Sequence, residues 1–212
     1  MKRDLSFEEI SDGKRYKASD CVKTDTHGCA GCHECCETTE DTIFLDPFDI
    51  YMLSKATGKT FTEMLESEIT LKVTEGLIVP TLNKKKKGPC VFLSPDFKCE
   101  IHEYRPGYCR LFPLGRIWNE DGSFDYFIQV HECPCEDKGA IPVKEWLSVD
   151  EIDKYEGFVR AWHTLTHDIK ELSLQANDAA LKASNMKMLQ AFFIEPYDTE
   201  KDFYSQFYSR GF

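Results

Sequence analysis

The sequence predicts an α+β fold, with a small irregular module of short strands and hairpins followed by a helical C-terminal cap. Two observations predict it. Short β-branched segments bounded by turn residues, together with all ten cysteines, lie before residue 136. Beyond that point, apolar residues recur at helical spacing from Ile152 to Leu172. A chain of 212 residues can bury a normal core without disulfide support.

The first elements follow from local signals. Residues 1–27 are polar and without periodicity, so we expect a leader of low order. Residues 42–45 predict a short strand. Asp46 stands at an N-cap position with Pro47 at the first helical position, and Gly58 is placed to end that helix.

Further short elements follow along the chain. Residues 60–63 have the capping-box pattern that opens a second short helix. Residues 69–82 predict a hairpin, residues 91–93 a short strand, and residues 116–130 a second hairpin, whose turn is the sequence Asn-Glu-Asp-Gly at 119–122.

The C-terminal third predicts helices. Ser148 and Glu151 form a second capping-box pattern before the periodic segment that starts at Ile152. Another helix is expected over residues 177–194, ending before Pro196, and a third short one after Thr199. We expect three regions: a leader over 1–27, a metal-binding domain over 28–140, and a helical extension over 141–212 packed on that domain.

Charge and composition exclude several classes of protein. The formal net charge of −11 disfavours binding to nucleic acid or to an anionic membrane. No apolar run approaches the ~18–20 residues that cross a bilayer. The start of the chain turns acidic at once and has no apolar core of a signal peptide. The expected location is therefore the cytoplasm, which keeps thiols reduced and favours metal ligation over disulfides.

Four cysteines lie within eight residues, at Cys29, Cys32, Cys35 and Cys36. The spacing C-x2-C-x2-C-C allows one short loop to surround a metal with sulfur, and thiolate sulfur is the preferred ligand of zinc and of iron–sulfur clusters. The first three positions also match the start of the bacterial ferredoxin run, which favours an iron–sulfur cluster over zinc. Because adjacent side chains of an extended segment face opposite ways, Cys35 and Cys36 would serve two centres, or one of them would not ligate.

Two further blocks extend this pattern. Gly88-Pro89-Cys90-Val91-Phe92-Leu93 is followed by the run from Lys98 to Pro113, which contains Cys-Glu-Ile-His-Glu-Tyr-Arg-Pro-Gly-Tyr-Cys-Arg-Leu-Phe-Pro. With the first cluster, these blocks resemble the YkgJ-like cysteine-cluster family, the zinc- or iron-chelating CxxCxxCC domain, over about residues 28–135. The chain has Cys133-Pro134-Cys135 where that family has Cys-Pro-Gly.

The resemblance implies a metal-binding domain and a set of ligands. That set is Cys29, Cys32, Cys35, Cys36, Cys90, Cys99, Cys109 and Cys133. Eight sulfur atoms can complete two four-sulfur sites, or one cluster with supporting thiols. Cys21 and Cys135 fall outside the set and are not expected to be essential ligands.

Other residues near the cysteines are candidates for supporting roles. Arg105 and Arg110 can offset the negative charge of a thiolate-bound cofactor, or they can serve only to shape turns. His33, His102 and His131 can each replace a thiolate ligand, although a supporting or surface position is the expected one for each.

Two classes of function remain open. One is a metalloprotein with an iron–sulfur cluster or zinc, used in redox chemistry, sensing or chelation. A protein partner is a further option for this class. The other is an enzyme that acts on a protein substrate, because relatives of the resembled family include flagellin lysine N-methylase. The catalytic residues of such an enzyme are unknown. No glycine-rich loop for S-adenosylmethionine follows a strand, which argues against a conventional methyltransferase.

Overall fold

The structure is a computed structural model that describes residues 6–26, 32–38, 43–84, 88–130, 132–133, 135, 137–174 and 177–211. It has the expected α+β architecture with a helical C-terminal region. The helices are α1 (Phe7–Ile10), α2 (Glu34–Thr38), α3 (Pro47–Thr57), α4 (Phe61–Met64), α5 (Gly107–Leu111), α6 (Val143–Leu147), α7 (Ile152–Ser173), α8 (Asp178–Leu189) and α9 (Phe203–Ser209), with a 3-10 turn at His102–Tyr104 and a π-helical turn at Gln190–Ile194.

The strands pair two by two. They are β1 (Cys21–Asp25), β2 (Ile69–Thr74), β3 (Leu77–Leu82), β4 (Leu114–Trp118), β5 (Phe124–Ile128) and β6 (Gly139–Pro142). The pairs β1–β6, β2–β3 and β4–β5 are all antiparallel. Both predicted hairpins are confirmed as β2–β3 and β4–β5.

Three local expectations were wrong or only partly met. The leader is not of low order over residues 6–26, because β1 pairs with β6 at the far end of the module. Residues 91–93 form no strand; Leu93 makes one isolated bridge, to Cys99. Within the strand expected at 42–45, Thr42 lies outside the described residues and Phe44 makes one isolated bridge, to Thr81. For β1 and Phe44 the pairing partner is distant in sequence, so local propensity does not report it.

The helix α3 forms as its capping signals predict. The carboxylate of Asp46 accepts a hydrogen bond from the backbone N–H of Asp49, and Pro47 occupies the first turn. Gly58 ends the helix in the left-handed conformation, at φ 69°, which glycine adopts without strain. The capping box at Thr60 and Glu63 opens α4 as expected.

The capping box predicted before α7 does not form. Ser148 and Glu151 both adopt left-handed backbone, at φ 49° and 53°, so the reciprocal capping bonds do not form. Ser148 instead ends α6, and the tight turn between α6 and α7 takes precedence over the local cap. The other two tail helices are confirmed: Asn177 caps α8, whose helical course continues to Ile194, and α9 follows Thr199.

Aromatic side chains join the tail to the module. Phe48 of α3 lies 5.1 Å from Phe203 of α9 and 6.1 Å from Phe158 of α7, measured between ring centroids. Phe158 and Phe207 form an edge-to-face pair at 4.8 Å. All four rings are buried in one hydrophobic core, which holds α3 against the C-terminal helices. Within the described residues, no helix is both long enough and apolar enough to cross a membrane.

Candidate metal centre

The second half of the first cysteine cluster is helical. Cys35 and Cys36 lie in α2, not in an extended segment, so the premise that they face opposite ways was wrong. The thiol of Cys36 donates a hydrogen bond to the sulfur of Cys35. This bond lowers the pKa of Cys35 to about 7, with a further lowering from the guanidinium of Arg105. The same bond, with burial, raises the pKa of Cys36. The pair therefore offers one thiolate close to neutral pH.

A compact loop carries the next two cysteines and attaches to α2. The backbone N–H of Cys90 donates to the carbonyl of Cys36 at 2.8 Å, which joins the two segments directly. Cys99 pairs with Leu93 through an isolated bridge, and the N–H of Glu100 donates to the carbonyl of Phe92 at 3.0 Å. Cys90 is only 9% exposed, so this cysteine lies in the interior of the protein.

Cys109 reaches the same region on α5. The backbone N–H of Gly107, the first residue of α5, donates to the carboxylate of Asp49 at 2.7 Å. Asp49 is 2% exposed and belongs to α3, so this contact fixes the start of α5 against α3. Burial raises the pKa of Cys109 above its ordinary range, and ionised Cys90, Cys35 and the Asp49 carboxylate raise it further.

These thiols are electrostatic neighbours. Cys36 is affected by charge on Cys35, Cys99 and Cys90, while Cys109 is affected by charge on Cys90, Cys35 and Cys99. The fold thus gathers five cysteines from three separate segments. Within the residues that the structure describes, no three His, Cys, Asp or Glu side chains form a group that could hold a metal ion as they stand.

The remaining predicted ligands are Cys29, Cys32 and Cys133. Cys29 lies outside the described residues. Cys32 is exposed. Cys133 is half-buried, and its carbonyl accepts a hydrogen bond from Lys138 at 2.9 Å. Of the two extra cysteines, Cys21 is exposed on β1 and Cys135 donates weakly to the carbonyl of Asp137.

Arg105 and Arg110 make different contacts. Arg105 acts electrostatically on both Cys35 and Cys99, and in each case favours the thiolate. Arg110 is 1% exposed and donates to backbone carbonyls on two sides. Its guanidinium reaches Leu147 and Ser148 at the end of α6, and Glu103 and Arg105 before α5. Arg110 therefore connects the cysteine-bearing α5 to the C-terminal helices.

The histidines near the cysteines also differ. Both ring nitrogens of His102 lie within 3.1 Å of an Arg105 guanidinium nitrogen, so this ring already has a polar partner. His33 immediately precedes α2, and its Nδ1 atom is buried with no hydrogen-bond partner among the described residues. His131 lies outside those residues.

Asp49 was not among the residues predicted for the site. Its pKa is raised well above the ordinary aspartate value, chiefly by burial and then by the neighbouring carboxylate of Asp46. Desolvation likewise raises the pKa of Asp46 to about 6, against an opposing effect of Arg116. The pattern Asp46-Pro47-x-Asp49 signals a reciprocal cap, but the contact of Asp49 with Gly107 joins residues too distant in sequence for that pattern to reveal.

The donor set fits a soft metal centre. Thiolate sulfur is the ligand type that zinc and iron–sulfur clusters prefer. The hydrogen bond with Cys35 raises the pKa of Cys36, and burial raises the pKa of Cys99 and Cys109; a bound cation supplies the positive charge that favours the thiolate form of such groups. Among Cys35, Cys36, Cys99 and Cys109, Cys35 has the lowest pKa, about 7, and so offers a thiolate most readily. Fold and donor set together define a cysteine-rich metal-chelating protein.

Comparison with known proteins agrees. A family model described as "CxxCxxCC: Putative zinc- or iron-chelating domain" matches residues 28–135, about half of the chain. The chain belongs to this family, as the sequence resemblance indicated. The match supports metal binding in general and does not extend to lysine methylation. Searches of curated proteins and of solved structures gave no match.

Proposed function

We propose that this protein holds an iron–sulfur cluster through cysteines of the family set and uses it in redox chemistry or sensing. The observation that carries the proposal is that three cysteine-bearing segments meet. The backbone N–H of Cys90 donates to the carbonyl of Cys36 at 2.8 Å, and Cys35, Cys99 and Cys109 are electrostatic neighbours of this pair. These five thiols are one more than a single tetrahedral site uses, and the ferredoxin-like spacing of the first cluster favours iron–sulfur. Zinc, with a chelating role, is the alternative cofactor.

The residues of this chain have distinct proposed tasks. Cys35 and Cys36 on α2, Cys90 and Cys99 on the loop, and Cys109 on α5 supply thiolates. Cys29, Cys32 and Cys133 complete the proposed ligand set. Bound iron–sulfur would supply one-electron chemistry, whereas zinc would supply structural cross-linking.

Charge compensation and compartment follow from the same reasoning. Arg105 favours the thiolate form of Cys35 and Cys99, which suits a counter-charge beside an anionic cluster. The proposed compartment is the cytoplasm, because it keeps thiols reduced and so available for metal ligation. We retain residues 28–140 as the proposed metal-binding domain and 141–212 as its helical extension.

Metal and acid-labile sulfide analysis of protein purified without oxygen tests the proposal. An iron–sulfur protein should be brown, contain iron and sulfide in equal amounts, and bleach in air. A matched control is a variant with Cys35 and Cys36 both replaced by Ala, which should lose the colour. If protein made in iron-rich medium is colourless and holds stoichiometric zinc, zinc would replace the iron–sulfur cluster as the proposed cofactor. Protein with neither metal would contradict the proposal.

A further inference from the structure

His33 lies between two cysteine-bearing segments. Its carbonyl accepts hydrogen bonds from the N–H groups of Cys36 and Glu37, at 2.9 and 3.1 Å, so it caps the start of α2. Its ring stacks on that of Phe97, with centroids 4.4 Å apart. Phe97 belongs to the loop between Cys90 and Cys99. The imidazole is therefore held where the first cysteine cluster meets the second.

The contact with Phe97 is maintained by an uncommon backbone conformation. Phe97 has φ 59°, in the left-handed region that a bulky side chain rarely adopts. Hydrogen bonds close the turn around it, from Phe97 N–H to the Ser94 carbonyl at 3.0 Å and from Lys98 N–H to the Ser94 hydroxyl at 3.1 Å. Strained positions of this kind persist where the surroundings impose them, and they are frequent at ligand sites.

The two ring nitrogens of His33 are in unlike environments. Nε2 faces the Glu37 carboxylate, with 3.6 Å between Nε2 and Oε2. A carboxylate at that position favours the tautomer with hydrogen on Nε2, and so leaves the lone pair on Nδ1. Nδ1 is buried and has no partner among the described residues. Metal-binding histidines show this arrangement, in which one nitrogen meets a carboxylate and the other meets the metal.

His102 provides a contrast. Its ring nitrogens lie 3.1 and 2.8 Å from Arg105 Nη1, so an N–H donor already faces its lone pair. Between these two histidines, only His33 has a buried nitrogen without a partner in the part of the chain that is described. A buried polar atom in this condition is costly unless something binds it.

We infer that Nδ1 of His33 is a ligand of the metal centre, which therefore takes imidazole nitrogen as well as thiolate sulfur. This inference rests on the proposed function and specifies its ligand set. Mixed ligation suits either metal, because zinc binds Cys3His sets and some iron–sulfur clusters carry histidine ligands. Glu37 acts as a positioning residue that fixes the tautomer.

X-ray absorption at the K edge of the metal that the purified protein holds, iron or zinc, tests this assignment. In the wild-type protein we expect a nitrogen scatterer at about 2.0 Å, beside the longer metal–sulfur distance. The variant His33→Phe keeps the ring that stacks on Phe97 but lacks the nitrogen. It should lose that scatterer and bind the metal at least about tenfold more weakly.

His163→Phe is the matched control, because His163 also stacks on an aromatic ring, that of Trp118 at 3.6 Å. It should leave the absorption spectrum and the metal affinity unchanged. An unchanged spectrum and affinity in His33→Phe would overturn the inference while leaving the proposed function intact. If His33→Phe fails to fold, His33→Ala replaces it, and an unchanged spectrum and metal affinity in that variant would overturn the inference equally. A wild-type protein that holds neither metal would remove both proposals.

Discussion

The carboxylate of Asp49 accepts a hydrogen bond from the backbone N–H of Gly107, at 2.7 Å, in the interior of the protein. Asp49 belongs to α3, which is packed in the aromatic core, and Gly107 begins the helix that carries Cys109. The position of one proposed ligand is therefore set by a helix that contains no cysteine.

Replacing Asp49 by Ala should destabilise the protein and weaken metal binding. The Gly107 N–H would be buried without an acceptor, which costs about 1–3 kcal/mol. Urea unfolding of the metal-free protein and metal competition titration measure the two effects. Glu120→Ala, in an exposed turn, is the control and should change neither. If Asp49→Ala binds metal as tightly as the wild-type protein, α3 does not position the metal site.

The carboxyl pair Asp46 and Asp49 should make stability depend on pH. Both have a pKa raised by burial, that of Asp46 to about 6, so the folded state binds more protons than the unfolded state. Their contribution is therefore fully present below about pH 4; that of Asp46 is lost as pH rises through about 6, and that of Asp49 as pH rises through its own raised pKa. Asp46→Asn keeps the oxygen that accepts from the Asp49 N–H but removes the ionisation.

The stability difference between wild type and Asp46→Asn, measured by urea unfolding from pH 4 to 7.5, isolates this effect from other titrating groups. Wild-type protein should lose stability relative to the variant as pH rises across this range. A difference that stays constant, or that grows in favour of wild type, would contradict the assignment.

Cys35 should react fastest among the thiols of the metal-free protein near neutral pH. Its pKa of about 7 makes it half thiolate there, chiefly because Cys36 donates a hydrogen bond to it. Alkylation rates followed from pH 5 to 9 give this pKa, and Cys35→Ser identifies the reacting thiol. Cys36→Ala removes the donor and should move the rate profile to higher pH. Bound metal should protect Cys35, and a profile unchanged in Cys36→Ala would exclude the hydrogen bond as the cause.

Replacing Cys109 by Ser should remove most of the bound metal and lower the stability of the loaded protein, because metal binding is coupled to folding. Cys21 and Cys135 provide the matched control. The double variant Cys21→Ser, Cys135→Ser should retain the full metal content. Metal content by mass spectrometry and the melting temperature are the measurements. Loss of a whole equivalent of metal in the double variant would show a different ligand set.

Arg110→Lys separates the two roles considered for Arg110. Lysine keeps the positive charge but cannot reproduce the planar fork that reaches the carbonyls of Leu147, Ser148, Glu103 and Arg105. If these contacts matter most, the metal-free variant should lose about 3 kcal/mol of unfolding free energy. Chemical unfolding without metal measures this loss. Wild-type stability in Arg110→Lys would favour charge compensation as its main role.

Local sequence signals correctly predicted the elements whose ends are set by neighbouring residues. Asp46, Pro47 and Gly58 set the ends of α3, and turn residues set the hairpins 69–82 and 116–130. The failures share a physical cause. Cys21 lies in β1 because residues 139–142 pair with it, and Ser148 adopts a left-handed conformation because α6 must end there. The strand that pairs with β1 is distant in sequence, and the turn between α6 and α7 overrides the local cap, so local propensity could not reveal either arrangement.

By itself the sequence determined the family, the α+β class and the thiol chemistry, since these depend on residue type and spacing. Only the tertiary structure decided which cysteines become neighbours, that Cys35 and Cys36 share a helix, and that Asp49 meets Gly107. It also showed that Arg110, besides its electrostatic interaction with Cys109, donates to backbone carbonyls, whereas Arg105 acts on Cys35 and Cys99. Apart from the short helix that Cys35 and Cys36 share, these relationships depend on burial and on distances between segments that the folded core brings together, and such quantities exist only once the core has formed.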